Sequence, residues 1–162
     1  MKKFFACLLA VCCCFSFFSC GSMPDMRELL SYQKDGASFR VKIHDGDEFY
    51  AVITLGQTNT VELLDDEETE GIRFLFGENE ASVEYGDTTM PIPNTDKLKA
   101  EKWVSLFALS ADALWKISRD TTGGISVYVC SCHDITLYID AASRLPLKMI
   151  SGTTEIDVLS CE

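Results

Sequence analysis

The chain has little of what most soluble enzymes and metal proteins use. Only two of its 162 residues are histidine (His44 and His133), and basic residues are outnumbered by acidic ones, 14 to 25. A net charge of −11 excludes a nucleic-acid surface, because phosphates are held by Lys and Arg. It equally excludes spreading of the protein body on anionic lipid. No Gly-x-Ser-x-Gly elbow, no His-Glu-x-x-His helix and no glycine-rich phosphate loop is present, so none of the common catalytic motifs is available. The longest apolar run, Phe4 to Phe18, falls short of the roughly 20 residues that a membrane-spanning helix needs.

That short run has another use. Lys2 and Lys3 precede it and Ser19, Cys20, Gly21 and Ser22 follow, which is the layout of a secretory signal peptide. The ending Phe17-Phe18-Ser19-Cys20 resembles the lipobox of bacterial lipoproteins, with Phe17 where Leu is usual. The resemblance implies cleavage after residue 19 and a lipid, such as palmitate, on Cys20. It places the protein across the cytoplasmic membrane, lipid-anchored in the cell envelope. Residues 1–19 would be the signal peptide, 20–24 the lipidated cysteine and a short linker, and 25–162 a single domain. Without residues 1–19, which hold Lys2 and Lys3 and no acid, the net charge becomes −13. The lipid on Cys20 would then be the membrane anchor, and a four-residue linker spanning at most about 14 Å keeps the domain near the bilayer.

Cysteine arithmetic changes accordingly. Cys7, Cys12, Cys13 and Cys14 fall in the apolar run, leaving Cys130, Cys132 and Cys161 for the domain. Three readings stand for these: free, partly buried thiols, a disulfide from Cys161 to Cys130 or Cys132, or a zinc cluster completed by His133. Adjacent residues on a strand point to opposite faces, so Cys132 and His133 are not expected to meet. His44 reads as a solvated side chain. Asp65 to Glu70 and the group Asp45, Asp47 and Glu48 lack the ligand spacing of a calcium loop and read as turns.

Periodicity organises the rest. Asp25 to Tyr32 predicts a short amphipathic helix after Pro24. Phe39, Val41 and Ile43, a turn at Asp45-Gly46, then Phe49, Ala51, Ile53 and Leu55 predict a hairpin. Val61–Leu64, Ile72–Phe76 (turning at Gly77-Glu78-Asn79) and Ala81–Tyr85 continue as strands, and Pro91 and Pro93 are expected to break the sheet. Asn94 or Thr95 then caps a predicted helix over Asp96–Lys116, apolar around most of its girth, with a kink or second start at Ser110. After Gly123-Gly124 come strands at Ile125–Val129, Ile135–Ile139, Leu145–Ile150 and Glu155–Leu159, with turns at His133-Asp134 and Asp140–Arg144. The fold class expected is α+β: a large, curved antiparallel sheet, an open half-barrel, with helices packed on its concave apolar face.

The segment Leu137-Tyr138-Ile139-Asp140-Ala141-Ala142-Ser143-Arg144-Leu145-Pro146-Leu147-Lys148 resembles the strand–turn–strand phrase of LolA/LolB-like lipoprotein-carrier domains. The order of elements is similar too: lipobox, helix, strands, helical insert, strands. The resemblance implies an unclosed barrel lidded by helices, with a hollow for acyl chains. The soluble carriers are unlipidated, so the arrangement here is closer to the anchored receptor type. From the apolar pattern the hollow would be lined by Phe39, Val41, Phe74, Phe76, Trp103, Phe107, Leu137 and Ile139. The function expected is a non-enzymatic, membrane-anchored and monomeric module for an acyl chain, lipid or lipoprotein, without cofactor or metal. The alternative is a structural or protein-interaction lipoprotein with a dry core. A secreted hydrolase would need a convergent polar cluster in a cleft.

Overall fold

The computed structural model describes residues 23–64, 71–78, 80–93 and 98–162. The expected signal peptide, Cys20, the acidic stretch 65–70, Asn79 and residues 94–97, with the expected helix cap at Asn94 or Thr95, lie outside the described residues.

The first helix, α1 (Met26–Leu29), starts where the sequence places it. The Asp25 carboxylate accepts from the Glu28 backbone N–H, one of the donors that a helix N-terminus leaves unpaired. Eleven strands follow: β1 (Ser38–Asp45), β2 (Asp47–Thr54), β3 (Asn59–Leu64), β4 (Arg73–Phe76), β5 (Ala81–Tyr85), β6 (Thr88–Ile92), then β7 (Lys116–Thr122), β8 (Ile125–Cys132), β9 (Ile135–Asp140), β10 (Pro146–Ser151) and β11 (Thr154–Cys161). Between β6 and β7 lies the second helix, α2 (Lys99–Ser105).

All strands join one open antiparallel sheet in the order β6-β5-β4-β3-β2-β1-β11-β10-β9-β8-β7. Two meanders therefore meet at the centre, where the first strand pairs with the last. The glycine turn at Asp45-Gly46 sets β1 against β2, with φ of +83° at Gly46, a conformation that glycine adopts without penalty. Alternation sends one residue in two to the apolar face. A continuous row runs Cys130–Leu137–Met149–Ile156–Ile43–Phe49 across six strands, and all but the half-buried Phe49 are fully buried.

Two departures from the sequence reading lie at the sheet edges. Pro91 does not end the sheet: it sits within β6, opposite Ser82. An edge strand bonds on one side only, so a residue without N–H is tolerated there. At the other edge, β7 has a single half-buried apolar residue, Ile117, among Lys, Ser, Arg, Asp and Thr. Without alternation it carries no strand signal, and pairing with β8 alone defines it.

The third departure is the helix expected over 96–116. α2 is two turns long. At its end Phe107 N–H bonds the Val104 carbonyl and Ala108 N–H the Ser105 carbonyl, three residues back, while Ser105 Oγ donates to the Lys102 carbonyl. These tighter bonds and the competing hydroxyl unwind the helix. No second helix starts at Ser110. Its hydroxyl accepts from Asp112 N–H and its carbonyl from Trp115 Nε1, which fixes a turn instead.

Candidate functional site

The residues expected to line a hollow come together in the interior. Phe39 and Val41 on β1, Phe76 on β4, Leu137 and Ile139 on β9, Trp103 on α2 and Phe107 just beyond it are all buried in one apolar cluster, with Phe74 packed against it. Aromatic rings meet within it. The Phe39 and Phe107 rings lie 4.9 Å apart, Phe49 and Trp103 5.5 Å, and Tyr32 meets Phe39 edge-on at 5.8 Å. Tyr32 and Phe49 belong to this aromatic layer but are absent from the sequence-derived lining. Their burial follows from contacts across the fold, and the strand alternation at Phe49 was the available signal.

α2 is tied to one end of the sheet by polar contacts. Trp103 Nε1 donates to Asp45 Oδ2 at 3.2 Å, and Lys99 Nζ donates to the Asp45 carbonyl at 2.6 Å. Lys102 Nζ donates to Thr154 Oγ1 at 2.9 Å, a hydroxyl on a fully buried residue. Ser151 Oγ, beside it, donates to Asp134 Oδ2 at 3.1 Å. Thus three hairpin turns and one short helix share a polar rim. Asp45 reads in the sequence only as a turn residue, since nothing local links it to Trp103.

α1 is tied down differently. Glu28 pairs with Arg144 at 3.1 Å, and the Arg144 guanidinium lies 4.8 Å over the Tyr128 ring. Arg27 pairs with Asp112 at 3.0 Å, both well exposed, so that pair adds little. Arg144 adopts φ of +63° in a turn organised by Asp140, whose carboxylate accepts from the Ser143 and Ala142 N–H groups and the Ser143 hydroxyl. Those bonds hold the Asp140 carboxyl below its usual range.

The thiols are free, and the strand register keeps Cys161 away from the other two. Cys130 lies in the row of Ile156, and Cys132 in the row of Thr154, whereas Cys161 is opposite Phe39 at the far end of β11. Three strand spacings of about 4.8 Å also separate β8 from β11, while a disulfide needs Cα atoms within about 7 Å. The expected pairing of Cys161 with Cys130 or Cys132 is therefore not accommodated by this register. No metal-binding group of His, Cys, Asp and Glu occurs among the described residues. Cys132 and His133 do meet, contrary to expectation, with Sγ and Nδ1 3.2 Å apart. The strand ends at Cys132, and His133 turns to φ of +54°, so the alternation rule no longer applies.

Among the described residues no helix is long and apolar enough to cross a membrane. No protein-family model and no curated protein matches the sequence. Solved structures do match the fold. An uncharacterized conserved protein from Thermus thermophilus superposes with a TM-score of 0.57 at 12% identity, covering 85% of this chain and 84% of that one. A LolA superfamily protein from Nitrosomonas europaea gives 0.46 at 9% identity over 85% and 90% of the two chains. LprF from Mycobacterium bovis gives 0.44 at 13% over 84% and 90%. The likeness is one of fold: a single large, open antiparallel sheet in this chain is similar to that of the Thermus protein along most of both lengths.

Proposed function

We propose that this is an envelope lipoprotein, anchored through Cys20, that binds an acyl chain or similar apolar ligand non-enzymatically on the helix-covered face of its sheet. The observation that carries the reading is the mismatch between the face and its cover. An eleven-stranded sheet presents a long apolar face, and the only helices over the described residues are four and seven residues long. Helices this short have little stability of their own and stay in place through their tertiary contacts. Displacing α2 and the turn after it requires breaking the rim bonds at Asp45 and Thr154 and would uncover Phe49, which meets Trp103, and Phe39, which meets Phe107, in a half-barrel hollow. The Leu137–Lys148 phrase and the lipobox support the same reading.

A second reading, an interaction lipoprotein with a dry core, is favoured by the ring contacts of Phe107 and Trp103, which fill the space under the cover. Native mass spectrometry of protein purified from cells, together with uptake of a fluorescent fatty acid, separates the two. Co-purifying lipid or saturable uptake is expected; absence of both would leave the dry-core reading. Replacing Cys20→Ser is expected to abolish palmitate labelling and to release the protein or stall its processing, and unchanged labelling would refute the anchor.

A further inference from the structure

Among the described residues three buried side-chain atoms have no hydrogen-bond partner: Tyr32 Oη, Gln33 Nε2 and Arg144 Nη1. Each carries a proton to donate. The remainder of the Arg144 group is engaged by Glu28 and the Tyr128 ring, so its orphan nitrogen belongs to an occupied contact. Tyr32 and Gln33 are different. Tyr32 is 5% exposed, and its hydroxyl lies beside the Gln33 amide without forming a bond of acceptable geometry. An orphan buried hydroxyl is costly, and most native buried donors are satisfied.

Space for a partner lies next to Gln33. Gln33 is in the wall of a surface cleft of about 450 Å³, with Lys34, Asp35, Leu55, Asn59 and Ala108. Leu55 is buried in the same apolar cluster as Phe39 and Phe107, so the cleft borders the core directly. Lys34 and Asp35 place one charge of each sign on the rim. The cleft thus combines an apolar wall at Leu55 and Ala108 with Gln33, whose unpaired amide has the Tyr32 hydroxyl beside it, where the chain leaves α1.

We propose that this cleft receives the acyl carbonyl end of the ligand, with Gln33 Nε2 and Tyr32 Oη donating to its oxygens and the hydrocarbon chain running past Leu55 into the core. The inference rests on the apolar-ligand reading above and adds the chemistry of the head. Recognition is by acceptor oxygens, which a free carboxylate and an ester carbonyl both supply.

The test uses the full-length protein held in amphipol and displacement of an apolar fluorescent dye by lauric acid, methyl laurate or dodecane. Wild-type protein is expected to bind at least one of the two oxygenated ligands about tenfold more tightly than dodecane, the effect of one to two hydrogen bonds. Tyr32→Phe is expected to erase most of that preference, leave dodecane binding unchanged, and keep or raise the melting temperature of the ligand-free protein. A preference for lauric acid over methyl laurate assigns the head to a free carboxylate, and equal binding to a carbonyl. Dodecane binding as tightly as the oxygenated pair, an intact preference in Tyr32→Phe, or a melting temperature lowered by several degrees would each overturn the inference while leaving the apolar-ligand reading in place. If none of the three displaces the dye, the apolar-ligand reading falls, and this inference with it.

Discussion

Cys130 has no water contact and faces Leu137 and Ile117 across two strand pairs. Burial pushes its thiol up to about 11, because the thiolate would lose its hydration. The unfolded chain, with an ordinary thiol near 8.5, deprotonates first as pH rises. Stability from this group is therefore complete below about pH 8.5 and is lost progressively toward pH 11, by up to about 3 kcal/mol. Cys130→Ala should flatten the fall of melting temperature between pH 9 and 11, measured against wild type by calorimetry. A parallel fall in both proteins would show that Cys130 is not the titrating group. The same thiol should react with a disulfide reagent only on unfolding, whereas half-buried Cys161 should react in the native state. Residue type alone did not decide any of this. In the sequence Cys130, Cys132 and Cys161 left disulfide, metal and free thiol open, and strand register set Cys161 apart from the other two.

At the scale of elements, the strands were the more legible part. Alternation and Asp-Gly turns located β1, β2, β8 and β9 because each buries one face, and burial of one face is what a period of two records. The edge strands β6 and β7 were not legible, since an exposed strand needs no apolar face. The long helix failed for a related reason. Ala100, Trp103, Val104 and Phe107 share a helical spacing, but beyond Ser105 the apolar residues are buried by a turn rather than by helix. α2 rests on side-chain contacts, of which Trp103 to Asp45 is the most specific. Trp103→Phe keeps the apolar ring and removes the donor, leaving Asp45 to Lys99 alone. A loss of about 1.5–3 kcal/mol is expected, as for a hydrogen bond to a charged group. Chemical denaturation should show it, and Asp45→Asn in the Trp103→Phe background should add less than in wild type. Additive losses would mean that the two side chains act independently.

For the whole molecule, stability should follow position in the sheet. β1 and β11 carry the central rows of fully buried residues and have a neighbour on each side, whereas β6 and β7 are open on one side. Native-state hydrogen exchange is expected to be slowest at Val41, Ile43 and Ile156 and fastest in β6 and β7, with α2 closer to the edges than to the centre. Protection of α2 equal to that of β1 would argue against a cover that opens to admit a ligand. It would then favour the dry-core reading over acyl binding.

The sequence by itself determined the acidic charge and the antiparallel class of the sheet, because charge and period-two burial are local properties of the chain. The residues of the apolar layer were also largely visible, since a strand writes its buried face into every second position. Tertiary structure alone decided how that layer is filled. It brought Tyr32, Phe39 and Phe107 into contact, set Trp103 over Asp45, kept Cys161 away from Cys130 and left Gln33 Nε2 without a partner in the wall of a cleft. Those outcomes depend on which strands become neighbours and on where a helix of seven residues finds its contacts, and separations of many residues along the chain carry no local signal of either.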